Sequence, residues 1–273
     1  MTETRIAARI HLAAELAPGA RVDLESGQAL YLRDVLRLEP GAVLAAFNAR
    51  DGEWLARIDA LGRGRGRLAV ESLRRAPEPE PDIWLVFAPV ERAPIGVLVQ
   101  KATELGCALL QPVITRHTTV TRIHRARLTA TLREAAEQCG RLSLPELRAP
   151  RELGPLLADW PTERRLLLCA EAGPARPIGE VLAGFAADPA ARAAPWAAMT
   201  GPVDGFAESE LDALRKLPFV TPVGLGPRLL RADTAALAVL ACWQAVLGDG
   251  GGRLAFRIPI RPDAPEPTRL RSR

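Results

Sequence analysis

Hydrophobic and polar positions follow two different rhythms along the chain, and the change falls near residue 77. SGQALYLRDVLRL (26–38) places apolar Leu30, Val35, Leu36 and Leu38 at helical spacing behind Ser26, a residue type that caps helices, so one amphipathic helix is expected there. The next apolar runs, AVLAAFN, EWLARIDAL and GRLAVESL, are short and separated by turn formers at 48–52 and 62–66, which reads as three strands. Residues 1–76 are therefore expected to form a small β-barrel with one helix.

RRAPEPEPD (74–82) sets three prolines among charges and can continue neither a helix nor a central strand, so 77–82 is expected to be an interdomain linker. Beyond it strand and helix alternate. DIWLVFAP reads as a buried strand; Pro94 opens a helix through VLVQKATEL that Gly106 closes; LLQPVIT is the next strand; ARLTATLREAAEQCG is a helix ending at Gly140. Strands RLLLCAE and WAAMT, helix ESELDALRK, strand FVTPVG and a final helix from Thr234 complete an α/β domain over 83–248. Such alternation predicts a mostly parallel sheet covered on both faces, with ligands at the carboxyl ends of its strands. The remainder, 249–273, with GDGGGR and RPDAPEPTRLRSR, is expected to be a flexible tail suited to electrostatic contact with RNA.

At 273 residues and 48% hydrophobic content the chain can bury a core in each of two domains. Cys107, Cys139, Cys169 and Cys242 share no CxxC spacing, so reduced packing residues are expected and no metal. The amino terminus lacks the apolar run of a signal peptide, and no segment has the ~18 apolar residues needed to span a bilayer; a cytoplasmic protein without a membrane partner is expected. The net charge of +4 is mild, but RGRGR and RIHRAR concentrate it, making Arg63, Arg65, Arg67, Arg122 and Arg125 candidate contacts for a polyanion, with solvated surface as the other reading.

Two loops directly follow predicted strands, MTGPVDGF (199–206) and VGLGPRLLRADT (223–234). Gly201 and Gly205 let backbone approach a ligand, and Glu208 and Glu210 suit the positive end of the next helix. GLGPRLL has a G-x-G but no third glycine, so the dinucleotide fingerprint is absent.

Together with two upstream stretches these loops carry a specific resemblance. VQKATELGCALLQPVITRHTTV, LREAAEQCGRLSLPEL, TGPVDGF and GLGPRLLRADTA, in that order, resemble the ribosomal RNA small subunit methyltransferase E family, and RDVLRLEPGAVLAAFN resembles its amino-terminal domain. The resemblance implies a SPOUT α/β-knot methyltransferase domain, a deep trefoil knot, behind a PUA-like RNA-binding barrel. It implies S-adenosylmethionine-dependent methylation of N3 of a uridine in 16S ribosomal RNA of the small ribosomal subunit, by a homodimer joined at the last helix. Carried over, Thr200, Gly201 and Gly205 belong to one cofactor loop, and Leu225, Gly226, Arg228, Leu229, Leu230 and Arg231 to the other. Gly224 admits the cofactor beside Gly226, and Pro227 stiffens the turn.

This chain departs from the family's usual GPEGGF at Val203 and Asp204, and from LRTET at Ala232 and Asp233. Ala207 stands where a serine or threonine would cap the next helix, a loss of about 1 kcal/mol. Val203 and Asp204 keep open an RNA-binding or assembly protein of the same fold that has lost turnover, and the motifs, which do not fix the nucleotide, leave open an enzyme acting on another RNA position.

N3 of uracil carries a proton at neutral pH and lies on the Watson-Crick edge, so the base must be unpaired and must gain anionic character for methyl transfer. Arg231 is the leading candidate to stabilise that charge, since a guanidinium stays charged and offers a fixed fork of donors. Glu104, Glu137 and Asp233 are candidate proton acceptors, each with a plain alternative on a helix face or as a helix cap. Arg116 and His117 could meet substrate phosphate or cofactor, Gln138 and Arg141 the knot or a partner subunit, and Cys139 is expected to be packed rather than nucleophilic.

Overall fold

The computed structural model describes residues 6–90, 95–120, 122–169 and 175–252. Pro94 and the tail beyond 252 lie outside them. The chain divides into two compact units at Ala76 and Pro77.

The first unit holds β1 (Arg9–His11), β2 (Arg21–Asp23), α1 (Ser26–Leu30), β3 (Val43–Asn48), β4 (Gly52–Gly62) and β5 (Arg65–Arg75). Its sheet runs β1-β3-β4-β5-β2, antiparallel except for the β1–β3 pair. The three long strands are the three expected runs, whereas β1 and β2 have three residues each, too few to show a period. Bulges in the β4–β5 ladder bend the sheet around a core that includes Leu44, Ala46, Ile58 and Leu68.

The helix differs from its expected stripe. Its N-cap is Glu25 rather than Ser26, and after Leu30 the chain makes a π-helical turn through Tyr31–Val35, with the Leu36 N–H donating to Tyr31 O at 3.0 Å. The wider turn shifts the buried face to Ala29 and Leu32 and leaves Leu30 and Val35 exposed, while Leu36 and Leu38 still pack against the core. A period of 3.6 could not anticipate that slip.

A buried ion pair also holds this unit. Arg9 Nε donates to Glu53 Oε2 at 2.7 Å with both side chains almost wholly enclosed, Arg74 donates to the other oxygen, and the Arg9 guanidinium lies 4.0 Å over the Phe47 ring.

The second unit alternates as expected: β6 (Ile83–Phe87), α2 (Ile95–Glu104), β7 (Leu109–Ile114), α3 (Arg125–Cys139), β8 (Glu146–Leu147), β9 (Arg151–Glu152), α4 (Leu153–Ala158), β10 (Arg165–Cys169), β11 (Arg176–Pro177), α5 (Ile178–Ala186), α6 (Pro189–Ala193), β12 (Trp196–Thr200), α7 (Glu208–Arg215), β13 (Val220–Gly224) and α8 (Ala232–Val246). The sheet is ordered β11-β13-β10-β12-β6-β7-β8, with β9 beside β7, and its pairings are all parallel. β13 lies between β10 and β11, two strands consecutive in the chain.

Both faces are covered, and alternate side chains show how. Leu85, Leu167 and Ala198 join the core under α2, α3, α5 and α8, while Val86, Leu166, Leu168 and Met199 join the core under α4 and α7. The segment expected to be a linker is tied down at its end. Arg164 grips Asp82 through both terminal nitrogens, at 3.0 and 2.6 Å, and Arg141 binds Glu80 along with the carbonyls of Thr103 and Cys107.

Candidate functional site

Three strand ends meet in the middle of the parallel sheet. Cys169, last in β10, pairs with Thr200, last in β12, on one side and with Val223 of β13 on the other. The loops that leave β12 and β13 line a cavity of about 570 Å³ above these ends. That volume is the size of a small-molecule cofactor site, at the sheet edge where α/β folds bind ligands.

Glycine shapes both loops, for separate reasons. A Cβ on Gly201 would lie 2.9 Å from Cε2 of Phe206, so its absence lets that ring fold back and pack beside Met199 and Leu214 in the far-face core. Gly226 has φ +108°, a conformation that a side chain strongly disfavours, and a Cβ there would meet nothing within 4 Å. The first loop is thus anchored by Phe206. The second is anchored by α8, whose Ala236, Val239, Leu240 and Trp243 are buried in the core.

The cavity lining is largely apolar or backbone, with Asp204 and Arg228 as its two charged residues among the described residues. At its floor, burial pushes the Cys169 thiol up to about 12, and Cys242 adds to the shift, so a neutral sulfur faces the site. Among the described residues no group of three or more His, Cys, Asp or Glu side chains could hold a metal ion.

Thr200, Gly201, Gly205, Leu225, Gly226, Arg228, Leu229 and Leu230 all line this one cavity. Arg231 does not. It is the exposed N-cap of α8, between the lining residues Leu230 and Ala232. Asp233 borders a separate narrow crevice beside Phe87 and Leu98, which shares Thr200 and Ala232 with the main cavity. α8 starts at Ala232, two residues before Thr234, with Arg231 as N-cap, so Asp233 lies within the first helical turn, where its Oδ1 accepts the Thr234 N–H at 2.9 Å.

Glu104 lies outside the cavity, paired with Lys101 at 2.9 Å on α2, and Glu137 lies outside it on α3. Arg63 and Arg65 are exposed at the β4–β5 turn, and Arg67 next to them is paired with Asp23 at 2.7 Å. Arg122 is exposed before α3, and Arg125 donates to Leu147 O. Arg116 and His117 sit on the loop after β7, which touches the first cavity loop. Ala207 offers no side-chain cap, but the reciprocal half of a capping box is present: the Glu210 carboxylate accepts the Ala207 N–H at 2.9 Å.

Sequence reading missed Cys169, Ala175, Leu211 and Ala235 as lining residues and had Phe206 and Ala232 only as members of the two loops. Cys169 carried a usable signal, the carboxyl end of a predicted parallel strand; the others are apolar residues that only packing brings to the cavity.

A parallel sheet whose last strand is inserted between two consecutive earlier ones, with glycine loops roofing a cavity at its carboxyl edge and a separate small barrel, defines a SPOUT α/β-knot methyltransferase with a PUA domain. The chain belongs to the ribosomal RNA small subunit methyltransferase E family: the model described as RNA methyltransferase domain matches residues 77–244, and that described as RNA methyltransferase PUA domain matches residues 24–71. It is similar to the ribosomal RNA small subunit methyltransferase E of Rickettsia conorii, with 26% identity over 234 residues covering 85% of this chain and 93% of that protein. The crystal structure of the Neisseria gonorrhoeae ribosomal RNA small subunit methyltransferase E bound to S-adenosylmethionine matches with TM-score 0.77 and 26% identity over 89% of this chain and 98% of that one. A putative methyltransferase from Legionella pneumophila, in complex with the same cofactor, matches with TM-score 0.74 and 27% identity, covering 88% and 98%.

Proposed function

We propose that the cavity binds S-adenosylmethionine and that the protein methylates N3 of a uridine in 16S ribosomal RNA of the small subunit. The observation that carries this reading is the glycine-shaped cavity at the ends of β10, β12 and β13, built from both loops that resemble the family's cofactor loops. Its residues fit the cofactor. Leu225, Leu230 and Phe206 offer apolar surface for the adenine, the exposed backbone around Gly201 and Gly226 lets the ligand approach closely, and Asp204 and Arg228 are placed to meet its polar groups. The bound cofactor supplies an electrophilic methyl group.

The chain's own residues must then bring N3 to that methyl and offset the charge its proton leaves behind. Arg231, at the rim between two lining residues and exposed, is free of the cavity wall and can turn its fork of donors to the uracil carbonyls. Asp233 and Glu104 are weaker proton acceptors in this reading, the first in its own crevice and the second engaged by Lys101. RNA is held by exposed arginines, Arg63 and Arg65 on the barrel and Arg116 and Arg122 on the knot domain.

A homodimer fits the outer face of α8. Its inner side is buried in the core, while Thr234, Ala241, Ala245 and Val246 are exposed, a surface with little polarity for a second copy to cover. No helix among the described residues is long and apolar enough to cross a membrane.

Calorimetry with S-adenosylmethionine, followed by transfer to small subunits lacking the modification, tests the reading. Primer extension locates the product, because a methyl on N3 blocks pairing and stops the polymerase. Cofactor binding with no transfer to any RNA would favour an assembly protein instead.

A further inference from the structure

Glu210 of α7 holds two loops at once. Its Oε1 accepts the backbone N–H of Arg116 at 2.9 Å, and its Oε2 accepts the backbone N–H of Ala207 at 2.9 Å. Arg116 belongs to the loop after β7, and Ala207 closes the cavity loop as the N-cap of α7. The methyl of Ala207 accepts no hydrogen bond, so Glu210 alone supplies the side-chain half of this cap.

A second tie runs in parallel. His117 Nδ1 lies 3.1 Å from the carbonyl of Gly205, which can only accept, so the ring nitrogen donates. The loop that provides both ties is stiff in itself, since Thr118 Oγ1 meets both the N–H and the hydroxyl of Thr115, at 2.9 and 2.8 Å. The cavity loop is thus fastened on its outer side by a segment far away in sequence.

We propose that Glu210 is a positioning residue for the reaction: its two oxygens set the cavity loop against the loop carrying Arg116 and His117, so cofactor affinity depends on a carboxylate that does not line the cavity. The inference rests on the reading of that cavity as the S-adenosylmethionine site. It also gives a physical account of how α7 starts without a capping hydroxyl at Ala207: the reciprocal half of a capping box, a charge-assisted bond from the Ala207 N–H to Glu210, remains and engages a second loop as well.

Two N–H donors require two acceptors, and a glutamine offers one. Glu210→Gln therefore keeps one tie and sets an amide N–H against a backbone N–H at the other. Calorimetry on the full chain should show the dissociation constant for S-adenosylmethionine rising about tenfold, the factor one charge-assisted hydrogen bond can carry. The KM for the cofactor should rise with it, kcat at saturating cofactor should stay unchanged, and the thermal midpoint without cofactor should stay near wild type. His117→Ala, an exposed site that poses little risk to folding, should raise the constant in the same direction by a smaller factor and decides the matter should Glu210→Gln fail to fold. Wild-type affinity in a folded variant, or a loss confined to kcat, overturns the clasp. A wild-type protein that binds no S-adenosylmethionine instead overturns the assignment of the cavity.

Discussion

Gln244, on the largely apolar last helix, donates from Nε2 to the carbonyl of Leu105 at 2.8 Å, and its Oε1 accepts the N–H of Asp249 at 3.0 Å. One buried amide thus ties α8 to the end of α2 and closes its own carboxyl terminus. Gln244→Leu would leave both backbone groups without that partner, and stability should fall by about 1–3 kcal/mol. Gly106→Ala should act in the same direction, because Gly106 has φ +74° and a Cβ there would lie 2.6 Å from Gln244 Nε2. Urea denaturation measures both; midpoints equal to wild type would remove this tie from the account of how α8 is held.

The barrel depends on Glu53 for a different reason. With Arg9 enclosed beside it at 2.7 Å, Glu53→Ala leaves a buried guanidinium without its main counter-ion, a loss of about 3–5 kcal/mol. Circular dichroism melting of the variant should show an early transition belonging to the barrel, while S-adenosylmethionine binding is retained. A single unshifted transition would contradict it.

The glycines of the cavity should differ in their tolerance. Gly226→Ala forces a side chain to φ +108°, a cost of about 1–2 kcal/mol that shifts the loop and weakens cofactor binding. Gly205, at φ +70°, lies in the left-handed region that asparagine tolerates, so Gly205→Asn should weaken cofactor binding less than Gly226→Ala does. Titration of the two variants separates the effects, and equal losses would show that the backbone conformation is not the cause.

Arg231→Ala should remain folded, within about 0.5 kcal/mol of wild type, because the side chain is exposed and makes no capping bond to α8. Methyl transfer to small subunits should fall by at least about a hundredfold, the scale of losing one oriented donor at a developing anion. A single-turnover rate close to wild type would refute the role assigned to Arg231.

Acid should loosen the barrel through Asp51. The Arg50 side chain holds its carboxyl well below the usual carboxylate range, and hydrogen bonds from the Leu16 N–H and the Asn48 amide assist. A depressed folded value means that this stabilisation is complete above the ordinary value of about 4 and is lost as pH falls toward the folded value. Asp51→Asn should therefore flatten the acid limb of a stability profile recorded between neutral pH and about pH 2. At the alkaline end the sign reverses: Cys107 and Cys169, both pushed up to about 12 by burial, favour the fold fully below the ordinary thiol range and lose that contribution as pH climbs toward 12.

The sequence by itself determined the alternation of strand and helix after residue 82, the parallel sheet, and the two glycine loops. Each of these is a local pattern: a period of side chains, or a residue type that one backbone conformation demands. The two loops were legible as the ligand edge of the sheet because each follows a parallel strand, and their resemblance to the family singled out Thr200, Gly201, Gly205, Gly224, Leu225, Gly226, Arg228, Leu229 and Leu230, which all line the cavity. Tertiary structure decided what local patterns cannot carry. The insertion of β13 between β10 and β11 sets Val223 beside Cys169, whose other side already pairs with Thr200 of β12, and none of these residues has a periodic relation to the others. The π turn at Tyr31–Val35 rotated an apparently good apolar stripe partly into solvent. The clasp of Glu210 on Arg116 and Ala207 joins two loops that the sheet brings together, and Arg231 stands at the rim of the cavity rather than in its wall because α8 begins there.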